Sequence, residues 1–129
     1  MPAYGNSVLD KGYDAGAAIL NRRFVKFTAE DVVGPVTATS DVPVGVSMFA
    51  VDAAGVAKGK GMSVRGSGGI AECEVGTGGV TSGALVSFDN TGKVIPATTG
   101  TRIVGQALQT RIAGQYAAVR ITLPGYISP

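Results

Sequence analysis

The sequence predicts an all-β fold, and three observations support this prediction. Short segments rich in valine, threonine and aromatic residues recur along the chain, with glycine-containing turns between them. No segment keeps a helical apolar periodicity for more than two turns. A hairpin-like pattern also occurs twice, first as Val44-Gly45-Val46, Ala54-Gly55 and Ser63-Val64-Arg65, then as Val104-Gly105-Gln106, Ala113-Gly114 and Ala118-Val119-Arg120. We interpret the repeat as two related halves of one β domain, with Gly45 and Gly105 at equivalent close-packed bends.

Residues 1–21 differ from the rest of the chain. They contain turn-forming residues without sustained periodicity, and their last eight residues fit either a short strand or a fragment of helix. A terminal segment of this kind is loose unless something orders it. Its large side chains include Tyr4, Leu9 and Tyr13. We therefore predict an N-terminal arm over residues 1–21, which either frays or becomes ordered against a partner.

Residues 22–129 are predicted to form a single β-rich domain. The strand candidates are 23–27, 44–51, 62–65, 69–75, 84–88, 93–97, 102–108 and 115–123. Two segments, 52–55 and 89–92, begin with Asp and end with Gly. This order is typical of type I turns, because the Asp side chain bonds to the backbone two residues further on. Short strands at this spacing favour a small barrel or a sandwich.

The composition bounds both the size of the core and the class of partner. A chain of 129 residues is long enough for one domain and short for two domains with separate cores. Only 16% of its residues are charged, so its surface has few of the charges that keep monomers apart. The net charge is +2, and the basic residues are scattered apart from Arg22 and Arg23. We therefore expect no nucleic-acid partner.

Membrane association and disulfide bonding are also not expected. No apolar run approaches the roughly 18 residues of a membrane span, and the N-terminus lacks the basic-then-apolar pattern of a signal peptide. The single cysteine, Cys73, has no second cysteine with which to form an internal disulfide. These features predict a soluble protein that is made in the cytosol.

The reactive side chains do not form a pattern that is typical of catalysis. The chain has no histidine, which excludes every nucleophile or metal arrangement that requires one. Cys73 stands between Glu72 and Glu74, two carboxylates that would raise the pKa of its thiol, and we predict a buried, inert cysteine. The two glutamates share one face of a predicted strand. Such a pair could serve a glycosidase, but alternation with apolar neighbours favours side chains that face solvent.

The glycine-rich segments and acidic turns are likewise interpreted as structural. Residues 66–69 and 76–79 lack the lysine and hydroxyl of a phosphate-binding loop and do not open a helix. Residues 89–92 lack the alternating ligands and the closing glutamate of a calcium loop. We therefore predict no catalytic residues, no cofactor, no metal site and no enzymatic activity.

The order of several segments resembles that of the tailed-phage capsid decoration proteins, also called head cement or stabilising proteins. The resemblance covers about four-fifths of the chain and lies in its glycine and valine spacing. The segments that carry it are Arg23 to Phe27, Val42 to Val46, Gly61 to Arg65, Gly69 to Val75, Gly83 to Val86, Gly92 to Pro96, Ile103 to Leu108 and Gly114 to Leu123.

This resemblance implies a fold, a partner and a location. Members of such families are compact β-barrels or β-tulips that bind the outside of an expanded capsid, most often as trimers. Their N-terminal arms lie across the coat protein and sometimes add a strand to its sheet. The arm would then bind the major capsid protein through Tyr4, Val8, Leu9 and Tyr13. The protein would be made in the host cytoplasm, would lie on the outer capsid surface and would form a homo-oligomer, with a trimer favoured.

Two further expectations come from the residues themselves. The C-terminal segment 123–129 is either a solvated tail or an oligomer contact, and its apolar pair Tyr126 and Ile127 favours the oligomer contact. The alternative function is a carbohydrate- or receptor-binding β module of a phage surface structure. Sugar sites usually depend on exposed tryptophan or tyrosine beside polar groups, and this chain has no tryptophan and four dispersed tyrosines.

Overall fold

The computed structural model describes residues 10–129, and nearly all of its regular structure is β. The elements in chain order are β1 (Asp10–Ala15), β2 (Phe24–Ala29), β3 (Val32–Pro35), β4 (Gly45–Ser47), α1 (Ala53–Ala57), β5 (Gly61–Arg65), β6 (Ile70–Glu74), β7 (Leu85–Phe88), β8 (Val94–Pro96), β9 (Arg102–Ala107) and β10 (Tyr116–Ile127). The prediction of a small all-β, barrel-like protein is confirmed.

The first five strands form a closed barrel, called the first barrel below. The strand order is β1-β3-β2-β4-β5, and β1 closes the sheet by pairing with both β3 and β5. Closure gives every strand of this barrel a neighbour on each side. The barrel interior is filled by the buried side chains of Ile19, Val25, Val33, Val51, Met62 and Val64.

The last five strands form a second sheet in the order β6-β10-β9-β7-β8. An isolated parallel bridge between Val75 and Val94 links the two edges of this sheet, and this five-stranded unit is called the second barrel below. Its core is built mainly from valine and alanine, with Phe88 and Ile121 as the largest side chains. Residues 66–69 connect the two barrels, as their glycine content suggested.

The two barrels pair their strands in the same register. Val46 of β4 pairs with Arg65 of β5, and Gln106 of β9 pairs with Arg120 of β10. In the sequence repeat, Val46 corresponds to Gln106 and Arg65 corresponds to Arg120. Both Val-Gly segments are strands, so the predicted relationship between the two halves of the chain is confirmed.

The equivalence extends to strands that the sequence repeat did not include. Val25 of β2 pairs with Pro35, and Val86 of β7 pairs with Pro96. Likewise, the partner of Arg65 in β1 is Asp10, and the partner of Arg120 in β6 is Ile70. Each strand of the first barrel therefore has a counterpart in the second. The chain is an internal duplication of a five-stranded unit, and it forms two barrels where its length had suggested one core.

The segments between the paired strands differ in the two copies. Ala54 and Gly55 lie in α1, whereas Ala113 and Gly114 lie in a turn with Gly114 at φ +90°. The helix begins because the side chain of Asp52 accepts a hydrogen bond of 2.7 Å from the backbone N–H of Gly55. The predicted turn at 52–55 is therefore a helix cap, and the strand predicted over 44–51 ends at Ser47.

The predicted arm is too long by at least its last twelve residues. Residues 10–15 form β1, which pairs with five consecutive residues of β5, and Ile19 is buried and bridges to Val51. Backbone hydrogen bonds on both sides of β1 hold it in the first barrel, so the boundary after residue 21 falls inside that barrel. Residues 1–9, with Tyr4, Val8 and Leu9, lie outside the described residues.

The two barrels share an apolar contact. Phe24, Val36 and Val46 of the first barrel belong to the same buried cluster as the core of the second barrel. The ring of Phe24 lies 6.0 Å from the ring of Phe88, measured between centroids. These outward-facing residues of the first barrel therefore complete the core of the second.

Candidate interaction surfaces

Cys73 lies in β6 with its side chain in the core of the second barrel, so its predicted burial is confirmed. Burial raises the pKa of the thiol to about 12, and the charge of Glu72 adds to this effect while that of Arg22 opposes it. The thiol is consequently protonated at neutral pH and cannot act as a nucleophile there.

The two glutamates of β6 have different environments. Glu72 is exposed, as expected, but Glu74 is half-buried and forms two ion pairs. Its Oε1 lies 3.1 Å from Nη2 of Arg23 in the first barrel, and its Oε2 lies 3.5 Å from Nζ of Lys93. Arg23 also donates a hydrogen bond of 3.1 Å to the carbonyl of Thr91. The contacts of Arg23 with Glu74 and Thr91 link the two barrels, whereas the Glu74–Lys93 pair lies within the second barrel. No local spacing in the sequence pointed to these contacts.

The acidic turn at 89–92 is stabilised by its own side chain. The carboxylate of Asp89 accepts hydrogen bonds from the backbone N–H groups of Thr91 and Lys93, at 2.9 and 3.0 Å. Within residues 10–129 the structure places no three Cys, Asp or Glu side chains where they could hold a metal ion. Across the same residues, no helix is long and apolar enough to span a membrane.

Tyr13 lies in β1 of the first barrel and is therefore not part of a free arm, while its predicted contact with the capsid protein stays a prediction. Its half-buried side chain packs against the interior cluster of that barrel. Its ring stands edge-on to that of Phe27, with 5.3 Å between centroids, and Nζ of Lys11 lies 5.4 Å from the tyrosine ring. Intramolecular packing therefore already uses much of the surface of Tyr13.

Tyr126 and Ile127 continue β10 beyond a break in its register. Their backbones pair with Ile103 and Arg102 of β9, while each side chain remains 54% exposed. The C-terminus is therefore folded onto the second barrel. The oligomer contact through these two side chains stays a prediction.

Several large apolar side chains are exposed on the barrels. Leu20 and Ile112 lie in connecting segments, and Phe27 and Leu85 lie on strands. A groove of about 300 Å³ also runs between the barrels, and its walls include Leu20, Val36 and Asn90. These features offer apolar contact area to another molecule. Sequence reasoning singled out none of them, because their exposure depends on how the two barrels pack.

The fold resembles that of a solved bacteriophage protein. The crystal structure of the head fiber gp8.5 N base of bacteriophage phi29 matches with a TM-score of 0.67 at 16% sequence identity. The match covers 94% of this chain and 98% of that chain. No family model matches the sequence, and no curated protein matches it significantly. The similarity therefore lies in the fold, which the two chains share over almost their whole length.

Proposed function

We propose that this chain is a structural protein of a bacteriophage head, without enzymatic activity, that binds the outer surface of the mature capsid. The observation that carries the proposal is the shared fold. Both barrels, and not one of them alone, fall within the match to a phage head fiber base. That likeness agrees with the resemblance of residues 22–123 to capsid decoration proteins.

The proposed mechanism is adhesive and requires no chemistry. Each copy would contact neighbouring subunits of the major capsid protein, and many weak contacts on a closed shell would add up to a stable coat. A protein that binds only the expanded lattice stabilises that lattice in proportion to its difference in affinity for the two states.

The surface of the chain suits this role. Few residues are charged, and the exposed apolar residues Leu20 and Ile112 are available for contact area. The groove between the barrels could receive an apolar side chain of the capsid protein. We further propose a homo-oligomer, with a trimer favoured, as the unit that binds.

We assign attachment to the segment before β1. Tyr4, Val8 and Leu9 precede Asp10, the first residue of β1. The proposed arm therefore comprises residues 1–9, because β1 is needed to close the first barrel. An extended segment can add a strand to a partner sheet through backbone hydrogen bonds, with alternate side chains supplying selectivity.

Two truncations test this assignment. Deletion of residues 2–9 should leave both barrels folded and should abolish co-sedimentation with expanded capsids. Deletion of residues 2–15 removes β1 and should unfold the first barrel, as read from circular dichroism. If the shorter deletion binds expanded capsids like the full chain, the arm is not the attachment segment.

A matched pair of substitutions separates the side chains from the backbone of the arm. Simultaneous replacement of Tyr4, Val8 and Leu9 by alanine should weaken binding at least tenfold. Replacement of Asn6 and Ser7 by alanine in the same segment should change it little. If the full chain fails to bind capsids but binds immobilised glycans on an array, the carbohydrate-binding alternative replaces the proposal.

A further inference from the structure

The contact between the two barrels joins two different surfaces. The first barrel contributes Phe24, which pairs with Val46 in the β2–β4 ladder. The second barrel contributes Phe88, whose partner in the β7–β8 ladder is Val94. A contact between unlike surfaces of two similar units is heterologous, and such a contact can be repeated by further units.

The register identifies the counterpart of each surface on the other barrel. Phe24 pairs with Val46, and Leu85 pairs with Gln106, which is the equivalent of Val46 in the second barrel. Leu85 is therefore the counterpart of Phe24. In the same way Phe27 pairs with Val33 and Phe88 pairs with the equivalent Val94, so Phe27 is the counterpart of Phe88. The surface around Leu85 is called the Leu85 end, and the surface around Phe27 is called the Phe27 end.

The members of each pair differ sharply in exposure. Phe24 is fully buried and Phe88 is 1% exposed, and both rings lie in the buried cluster at the junction. Their counterparts Leu85 and Phe27 are 45% and 50% exposed. Each end of the molecule therefore exposes an apolar residue whose counterpart is buried at the junction between the barrels.

We propose that a second copy of this chain covers these ends, with the Leu85 end of one copy packed against the Phe27 end of the next. The occupant follows from the internal contact, in which the two corresponding surfaces already bind each other. Head-to-tail contacts of this kind produce closed rings when the rotation between copies closes. The proposal rests on the barrel geometry and does not depend on capsid binding.

The contact between copies is weaker than the contact inside the chain. At the internal junction Arg23 forms an ion pair with Glu74, and the position of Arg23 in the second barrel is occupied by Ala84. Tyr13 also covers part of Phe27, whereas the smaller Cys73 holds the position of Tyr13 in the second barrel. Association between copies should therefore be reversible and should increase with protein concentration.

Charged substitutions at the two ends test the proposal in solution, without capsids. The wild-type chain should form oligomers in sedimentation velocity and native mass spectrometry, in proportion to its concentration. Phe27→Asp and Leu85→Asp should each be monomeric when alone. An equimolar mixture of the two variants should contain a 1:1 heterodimer, because each variant supplies the end that the other lacks.

The controls distinguish this contact from association through a different surface. Phe49 is 38% exposed and is not a counterpart of Phe24 or Phe88, so Phe49→Asp should associate like the wild type. Thermal unfolding of each variant reports whether it is folded. A wild-type monomer at every concentration overturns the proposal. So does a Phe27→Asp variant that still dimerises alone, which would indicate a symmetric contact, or an oligomer that is lost only when residues 2–9 are deleted.

Discussion

Gly45 lies directly against the backbone carbonyl of Arg65, and Gly105 has the same relationship with Arg120. A Cβ atom at Gly45 would overlap that carbonyl oxygen and would lie 2.6 Å from Cγ1 of Val64. At Gly105 the overlap recurs, with 2.9 Å to Cγ1 of Val119. The two barrels therefore depend on the absence of a side chain at equivalent points of the same hairpin.

Gly45→Ala and Gly105→Ala should each destabilise the protein by about 1–3 kcal/mol, because the neighbouring backbone has to move to admit the methyl group. Urea unfolding measures this change in the free energy of unfolding. Gly12→Ala provides the control, since among residues 10–129 no atom beyond its two chain neighbours lies within 4 Å of the position that its methyl group would take. Equal effects of all three substitutions would refute the role of close packing at Gly45 and Gly105.

Phe88→Ala should cost about 3–5 kcal/mol, the usual range for removal of a buried aromatic side chain. The equivalent substitution in the first barrel, Phe27→Ala, should cost clearly less in the monomer because Phe27 is half exposed. Thermal or urea unfolding at low protein concentration compares the two. Similar losses of stability would mean that the two positions are not differently buried.

The ion pair between Arg23 and Glu74 should couple the two barrels by about 1 kcal/mol, because both side chains are only partly exposed. A double-mutant cycle with Arg23→Ala and Glu74→Gln measures this coupling. Glu72→Gln is the matched control on the same strand, and it should change stability by less than about 0.5 kcal/mol. A coupling energy near zero would show that the pair does not hold the junction together.

Acid should weaken the first barrel through two carboxylates. Hydrogen bonds of 2.7 and 2.8 Å from Arg65 lower the pKa of Asp10. The pKa of Asp41 is lowered mainly by a hydrogen bond from the backbone N–H of Thr37. A carboxylate with a lowered folded-state pKa contributes stability above its unfolded value of about 4, and loses it as the pH falls through the folded value.

Asp10→Asn should therefore reduce the loss of stability between neutral pH and about pH 2, measured by urea unfolding at several pH values. Asp41→Asn should have the same kind of effect. An unchanged dependence on pH in both variants would contradict the assignment of acid sensitivity to these groups.

The class of fold and its internal symmetry could be predicted from the sequence. Strand periodicity and the repeated Val-Gly segments at Gly45 and Gly105 are both visible in short stretches of residues. The position of β1 could not be predicted from the sequence. The segment 10–15 has few β-branched or aromatic residues, and it is a strand because β3 and β5 lie on its two sides. Propensity alone cannot show such long-range pairing.

The same Asp-x-x-Gly pattern also produced two outcomes. Asp89 bonds the backbone N–H of Thr91 in a turn, whereas Asp52 bonds that of Gly55 and begins α1. The side-chain chemistry is the same in both places, but the backbone that follows forms a helix after Asp52 and a turn after Asp89. The exposure of Phe27 and Leu85 could not be predicted from the sequence. Only the packing of one barrel on the other shows that Phe24 and Phe88 are buried while their counterparts are exposed.

The most direct test of the proposed function is an electron cryomicroscopy reconstruction of mature phage heads assembled in the presence of this chain. We predict density for both barrels on the outer surface, in contact with the major capsid protein, and its loss when residues 2–9 are deleted. Heads whose outer surface lacks this density, while the chain is found elsewhere or absent from the particle, would contradict the proposed function.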